Sequence, residues 1–296
     1  MIKISIVTDE LSADPESAIE LATDWGIHDF ELRGYFTERV PQLTAYQVRH
    51  LGLILDDYGA RVVALSPGLF KMPYPADKPV RWSFTSLDLG AYEGWESARR
   101  LVRTHMLEIL PKTLDLANAL GARTVVCFGF HRAGSEPGSP PASVIDILGE
   151  AAEKAASAGI VLAMETEDGY WADTGGRTRQ VVERVNHPAL RVNWDPGNAF
   201  CAGETPFPNG YAALGGLIQH VHFKDARRSP DGSAEFVTRG EIDWQGQIQA
   251  LIQDGYDGYI SIETHLRPKI AEARAAFDRL SRLIQEAHQR KQHSRY

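Results

Sequence analysis

What this chain has little of narrows its class. Among 296 residues there are two cysteines, Cys127 in an apolar stretch and Cys201 near glycines, too few for a disulfide framework or a four-thiolate zinc site and in keeping with a cytoplasmic setting. No apolar run approaches the ~18 to 20 residues that span a bilayer, so no membrane segment is expected. Met1 to Thr8 already alternates as a strand, Ile2, Ile4 and Ile6 against Lys3 and Ser5, which leaves no room for a secretory leader. A soluble protein is expected. Positive charge is in deficit as well: 31 Lys and Arg against 39 Asp and Glu give a formal net charge of -8, which argues against a nucleic-acid partner. No Gly-x-Gly-x-x-Gly follows the first strand, so the dinucleotide fingerprint is absent. Most of the visible basic clustering lies in His288 to Tyr296, which reads as a solvated tail. The expected division is one domain over 1–290 and a basic C-terminal tail over 291–296.

What is present is an alternation of strand and helix, eight times over. Strands are expected at Lys3 to Thr8, Asp29 to Arg33, Arg61 to Ser66, Arg123 to Gly129, Ile160 to Thr166, Leu190 to Asp195, His220 to Asp225 and Tyr259 to Thr264, each short, rich in Val, Ile or Phe, and ending in polar residues. Amphipathic stretches lie between them, among them Pro15 to Trp25, Leu43 to Tyr58, Glu96 to Leu120 and Trp244 to Asp254. Glycines 26, 59, 121, 159 and 255 close most of the helices. This pattern predicts an α/β fold, a (β/α)8 TIM barrel in a single domain, with an open α/β sheet as the alternative. Pro67 to Gly94 reads as a long irregular segment carrying Phe70, Tyr74, Trp82, Phe84 and Tyr92, either a lid over a sugar or an oligomer contact.

Barrel active sites form at the C-terminal face, so a polar residue ending an apolar strand is aimed at the pocket mouth. The last four strands each deliver a candidate: Glu165 after Leu162-Ala-Met, Asp195 after Val192-Asn-Trp, His220 or His222 in the seventh strand, and Glu263 after Ile260-Ser-Ile. Any one of them has an ordinary explanation as a solvated carboxylate or a hydrogen-bonded core histidine. Together, three carboxylates at one barrel mouth are costly unless a cation offsets them, so a divalent metal is expected. Oxygen-rich ligation with one imidazole favours Mn²⁺ or Mg²⁺, with Co²⁺ or Zn²⁺ as alternatives. Spacing does not choose between His220 and His222, which point the same way along the strand.

With these residues in hand, the chain resembles the xylose isomerase-like TIM barrel superfamily, the sugar phosphate isomerases and epimerases. The likeness is carried by Met164-Glu165-Thr, Asn193-Trp-Asp195-Pro-Gly-Asn198, His220-Val-His222-Phe-Lys-Asp225, Gly240-Glu-Ile-Asp243-Trp244 and Gly255-Tyr-Asp-Gly-Tyr-Ile-Ser-Ile-Glu263. It implies that Glu165, Asp195, His222 and Glu263 are the metal ligands, with Mn²⁺ first among metals. It also implies that Glu165 and Glu263 act as paired acid and base, and that Arg228 binds substrate. Where the family's ketose 3-epimerases have His three residues after the metal Asp, this chain has Asn198, and Trp171 also departs from their pattern. Lys224-Asp225 is closer to the inosose dehydratase and hydroxypyruvate isomerase branches. The extra ligands of endonuclease IV are not matched: Glu235-Phe-Val stands where an Asp-x-His is needed.

The expected chemistry is proton abstraction beside a carbonyl of a polyhydroxy, sugar-like substrate, giving epimerisation, isomerisation or, with loss of a β-substituent, elimination. His131, just past the fourth strand, is a further candidate base. Asn198, Lys224 and Glu31 are further candidates for binding substrate. The alternatives are a dehydratase or lyase of the same superfamily, a C-glycoside-cleaving subunit that needs a small partner, and a non-catalytic sugar-binding barrel. A homo-oligomer is also compatible with the sequence.

Overall fold

All eight apolar segments form strands: β1 (Lys3–Val7), β2 (Asp29–Leu32), β3 (Arg61–Leu69), β4 (Thr124–Phe128), β5 (Val161–Glu165), β6 (Leu190–Trp194), β7 (Ile218–Phe223) and β8 (Tyr259–Ile262). In the computed structural model, which describes residues 1–74, 94–134 and 136–293 (without the side chains of 94–97, 292 and 293), they close into a parallel barrel. Each strand pairs with its neighbours in sequence and β8 returns to β1, with Ser5 opposite Ser261 and Ile6 opposite Ile262. Parallel strands wrapped by helices are covered on both sides, and every residue of β4 is buried accordingly.

The helices begin and end where local chemistry dictates. Asp14 caps α1 (Pro15–Asp24) ahead of Pro15, and Thr44 forms a capping box with Gln47 at α2 (Ala45–Asp57). Glycines 26, 59, 121, 159 and 255 all take positive φ, as a helix stop of this kind requires. α3 (Gly94–Thr104) continues through a π-helical turn at His105–Ile109 into α4 (Leu110–Leu120). The widened turn carries His105, whose Nδ1 accepts from Phe70 N at 3.0 Å and so ties this helix to the end of β3.

Two sequence expectations are corrected. β3 does not end at Ser66. It runs on through Pro67 and Gly68 to Leu69, its pairing with β4 breaking after Leu65 and resuming at Leu69 opposite Cys127, and Phe70 and Tyr74 beyond it are buried core residues. Trp82, Phe84 and Tyr92 lie outside the described residues. The C-terminal end is not a loose tail through its whole length. The final helix, Lys269–His293, keeps Ala276, Leu280, Ile284 and Ala287 buried in one apolar stripe, and Lys291 Nζ donates to Ile252 O at 2.8 Å. Among the described residues no helix is long and apolar enough to cross a membrane.

Two short antiparallel hairpins stand on the C-terminal side of the strands they follow. One pairs Gly34–Tyr35 with Glu38–Arg39 after β2, and the other pairs Ala226–Arg228 with Ala234–Phe236 after β7.

Candidate metal centre

The ends of β5 to β8 bring Glu165, Asp195, His222 and Glu263 together, one donor atom from each lying within 4.8 Å of the others. All four side chains are buried. His222 Nδ1 is 3.1 Å from Glu263 Oε2, 3.6 Å from Glu165 Oε1 and 3.8 Å from Asp195 Oδ2. Asp195 shows how the local sequence serves the centre. It is the N-cap of the short helix Pro196–Cys201: Oδ1 accepts from Asn198 N at 2.9 Å, which leaves Oδ2 for the cluster, and Pro196 fills the first helical position. Gly197 is required by packing, because a Cβ there would sit 2.9 Å from Lys224 Cγ.

Lys224 enters the cluster itself, with Nζ 2.8 Å from Asp195 Oδ2 and 2.7 Å from Glu263 Oε2. Both oxygens are buried and are met by this ammonium and by the His222 ring. One ammonium against three carboxylates leaves negative charge in excess. Buried carboxylate oxygens in excess of the cations around them, beside an imidazole nitrogen, form a hard donor set that fits a divalent cation.

The charges shift one another strongly. Burial pushes the Glu165 carboxyl up, helped by Glu263 and opposed by His222. Burial would also raise Glu263, but Lys224, His265 and His222 hold it well below the carboxylate range. For Asp195, Lys224 and His222 likewise outweigh burial and lower it. His222 and Lys224, which burial alone would lower, are held well above their usual ranges by the surrounding carboxylates.

Glu31 lies on the other side of the His222 ring. Both its oxygens are 3.1 Å from His222 Nε2, His220 Nε2 is 2.8 Å from Oε2, and the Ser66 hydroxyl donates to Oε1. Glu31, His220 and His222 also have donor atoms close enough together to hold an ion. Fully buried and engaged by three side chains, Glu31 stands behind His222 and is not among the residues lining the cavity beside the centre.

A cavity of about 340 Å³ opens beside the centre. Glu165 and Glu263 line it together with Asp9, Arg33, Arg39 and His265, and with Ser66, Lys71 and Phe128. Asn198 bridges Glu165 to its neighbours: its amide nitrogen is 3.2 Å from Glu165 Oε1 and 2.7 Å from Glu167 Oε2, and Lys224 is 3.3 Å from its oxygen. Arg228 is exposed, stacked on Phe200 and donating to its carbonyl oxygen at 3.1 Å. His131 packs edge-on against Tyr170, and its Nδ1 accepts from Ala133 N at 3.0 Å. Burial, then the charge of Arg132, lowers its pKa. Neither residue is among those lining the cavity. Asp225 is structural, receiving Ala226 N at 2.8 Å and Arg279 from the last helix.

Sequence reasoning over the last four strands passed over the opposite half of the site. Arg33, just past β2, pairs with Asp9 at 2.8 Å, Glu10 at 3.0 Å and Glu263 at 2.5 Å. Glu10 also accepts from Thr264 N at 3.1 Å and His265 N at 2.9 Å. Burial would raise the Glu10 carboxyl, but the His265 contact and the Arg33 charge bring it down to about 2. The strand-end rule that singled out Glu165 and Glu263 applies equally to Asp9 and Glu10 after β1 and to Arg33 after β2.

Barrel and cluster together define a (β/α)8 protein whose strand ends carry a residue group able to hold a metal ion. The pattern of the xylose isomerase-like TIM barrel family matches residues 19–283, and the chain belongs to that family. Among curated relatives, L-ribulose-5-phosphate 3-epimerase UlaE of Escherichia coli (strain ATCC 8739) is 26% identical over 163 residues, 55% of this chain and 57% of that protein. The chain thus spans little more than half the length of the curated relatives it matches. Similar solved structures include an L-ribulose 3-epimerase (TM-score 0.69, 18% identity, 99% of this chain and 97% of that one). A probable 3-DHS dehydratase, AsbF of Bacillus anthracis, superposes with TM-score 0.66 at 18% identity over 95% of this chain and 99% of that one. A xylose isomerase-like TIM barrel protein of Mycobacterium smegmatis in complex with magnesium gives TM-score 0.66 at 16% identity over 92% and 88%. At these identities the structural likeness is one of fold.

Proposed function

We propose that this chain is a divalent-metal-dependent isomerase or epimerase of a polyhydroxy carbonyl compound, acting by proton transfer at the carbon beside the carbonyl. The observation that carries this reading is the buried cluster of Glu165, Asp195, His222 and Glu263, two of whose members line the adjoining cavity. Those four residues would hold the cation, Mn²⁺ first and Mg²⁺, Co²⁺ or Zn²⁺ as alternatives. A cation bound there polarises a carbonyl or hydroxyl oxygen and makes the neighbouring C–H more acidic.

The chain's own groups do the rest. Glu165 and Glu263 reach the same cavity, one to take a proton from carbon and the other to return one. Asn198 holds Glu165 and Arg33 holds Glu263, fixing the two carboxylates against each other. Glu31, bound at Nε2 of His222, turns Nδ1 of that ring toward the other three ligands. Return of the proton to the same carbon gives an epimer, and return to the neighbouring carbon gives an isomer.

Elimination is the second reading, favoured by Asn198 and Trp171 at positions where the family's ketose 3-epimerases differ, and by the dehydratase among the structural neighbours. Trp171 is buried with its indole N–H donated to Tyr74 O at 3.0 Å, which gives it a packing role in this chain. Free thiols at Cys127 and Cys201 suit a cytoplasmic setting.

Conversion in D₂O tests the mechanism. A panel of ketoses, oxo-sugars and their phosphates is incubated with metal-loaded protein. Proton transfer places solvent deuterium at the carbon beside the carbonyl, or at the matching position of an eliminated product. Full conversion without solvent label would point to a hydride shift and sink the reading, as would turnover unaffected by EDTA in protein found to carry no metal.

A further inference from the structure

The outward side of α2 combines features that its packing against the barrel does not explain. Among the described residues six large apolar side chains are exposed, and three of them, Phe36, Tyr46 and Leu53, lie on α2 and the hairpin before it. Ring contacts join them: Phe36 packs edge-on against Tyr35, the Tyr35 hydroxyl is 2.8 Å from His50 Nδ1, and Tyr46 stacks on the His50 ring. Leu53 is 62% exposed and borders a notch of about 420 Å³ that Tyr46, Arg49, His50, Gly52 and Asp56 complete. Apolar surface gathered in this way marks a contact face. None of these residues lines the cavity of the centre.

Gly52 lies in the middle of α2, where glycine is a poor helix former. A Cβ there would meet nothing within 4 Å, and the backbone does not take the positive φ that favours glycine. Among the described residues nothing requires a glycine at this position, so the room it leaves is room for something outside the chain. Charge is spaced evenly about it. Arg49 and Asp56, both exposed, stand on opposite sides of the midpoint between Gly52 and Leu53, each about 5 Å from it along the helix axis. Neither has an opposite charge three or four residues away on its own helix.

We propose that the outward side of α2 is a self-association surface, on which two copies of this chain pair about a twofold axis, Leu53 of each seated in the Gly52 notch of the other. Laid antiparallel about that midpoint, the two helices bring Arg49 against the partner's Asp56, and by symmetry the same pair forms again at the other end. A face that matches itself after a half-turn is what a twofold dimer needs. A parallel arrangement would set Arg49 against the partner's Arg49 and Asp56 against the partner's Asp56, so the charges also select the antiparallel one.

Sedimentation velocity across a dilution series tests this, with the wild type expected to be a dimer that dissociates on dilution. Leu53→Asp removes the knob and Gly52→Leu fills the notch. Both are expected to leave monomers with unchanged circular dichroism, since both positions face open space in the single chain. Arg49→Asp and Asp56→Arg each set like charges opposite one another at both ends, and each alone should weaken the dimer by at least about 10-fold. Mixed together, the two variants should form a heterodimer of near wild-type affinity, because one chain is then acidic and the other basic at both positions. A wild type that stays monomeric at every concentration overturns the surface and leaves this face to a different protein. A dimer left intact by Leu53→Asp overturns it too, as do charge variants that associate no better mixed than apart. Should Leu53→Asp fail to fold, the mixing experiment decides.

Discussion

The two halves of the barrel mouth differ in charge balance: Asp9, Glu10 and Glu31 offset the basic residues of the earlier half, whereas three carboxylates outnumber Lys224 in the later one. β5 to β8 supply Glu165, Asp195, His222 and Glu263, while the segments after β2 and β3 supply Arg33, Arg39 and Lys71 to the same cavity. The later half gathers three carboxylates and an imidazole into a donor set that could hold a cation. The earlier half shapes that set, with Arg33 on Glu263 and Glu31 on His222. A substitution in the later half should therefore strike metal binding and turnover, and one in the earlier half should strike stability or substrate affinity, Glu31 being the residue that joins the two.

The largest effect is expected at Glu263. Glu263→Gln keeps the shape but removes the base, and turnover at saturating metal should fall by about 10²-fold to 10⁴-fold. Normal turnover in that variant would remove Glu263 from the mechanism. Next comes the histidine pair. His222→Ala should emerge from dialysis with little metal, whereas His220→Ala should keep about one ion per chain. The reverse outcome in elemental analysis would place the ligand on His220, and two ions per wild-type chain would make Glu31, His220 and His222 a second site.

Glu31→Gln sharpens the comparison from the earlier half. The amide presents a donor where His222 Nε2 now meets a carboxylate, so Mn²⁺ affinity should drop by about 10-fold to 100-fold, the usual effect of disturbing an outer partner of a metal-binding His. A dissociation constant unchanged in titration would mean that Glu31 does not orient the ligand.

The remaining effects leave the centre intact, concern acid stability and belong to the earlier half. Glu10 is lowered from 4.5 to about 2 in the fold, so its contribution is complete above pH 4.5 and is lost as pH falls toward 2. His105 is lowered by burial from 6.5 to about 4, so the unfolded chain takes up its proton first and stability falls between pH 6.5 and 4. Each amounts to at most about 3 kcal/mol. Urea midpoints measured across pH 7 to 3 should show both losses. Glu10→Gln should flatten the lower range and His105→Asn the upper, and a wild-type profile in either variant would count against the group concerned.

How much of this was legible in the sequence depends on the range of the interaction. Each strand was recoverable because its apolar run and polar ending are local, and helix stops at Gly26 or Gly121 follow from one residue's φ. β3 was the exception, since Pro67-Gly68 reads as a loop until its pairing resumes at Leu69 opposite Cys127. The four candidate ligands were legible because each ends a strand, and strand ends converge once the fold is a barrel.

By itself, the sequence determined the alternation of strand and helix, the polar residues at the ends of β5 to β8, and the excess of negative charge they bring. Local propensity and period are enough for these. Only the tertiary structure decided that Lys224 reaches into the cluster, that Glu31 sits behind His222, that Arg228 stacks on Phe200 away from the cavity lining, and that Arg33 and Arg39 join the same cavity. Those relations pair residues as far apart as Arg33 and Glu263, or Glu31 and His222. No window along the chain contains both members of such a pair. Their positions are set by barrel closure and strand register, and so is the charge balance of the buried centre.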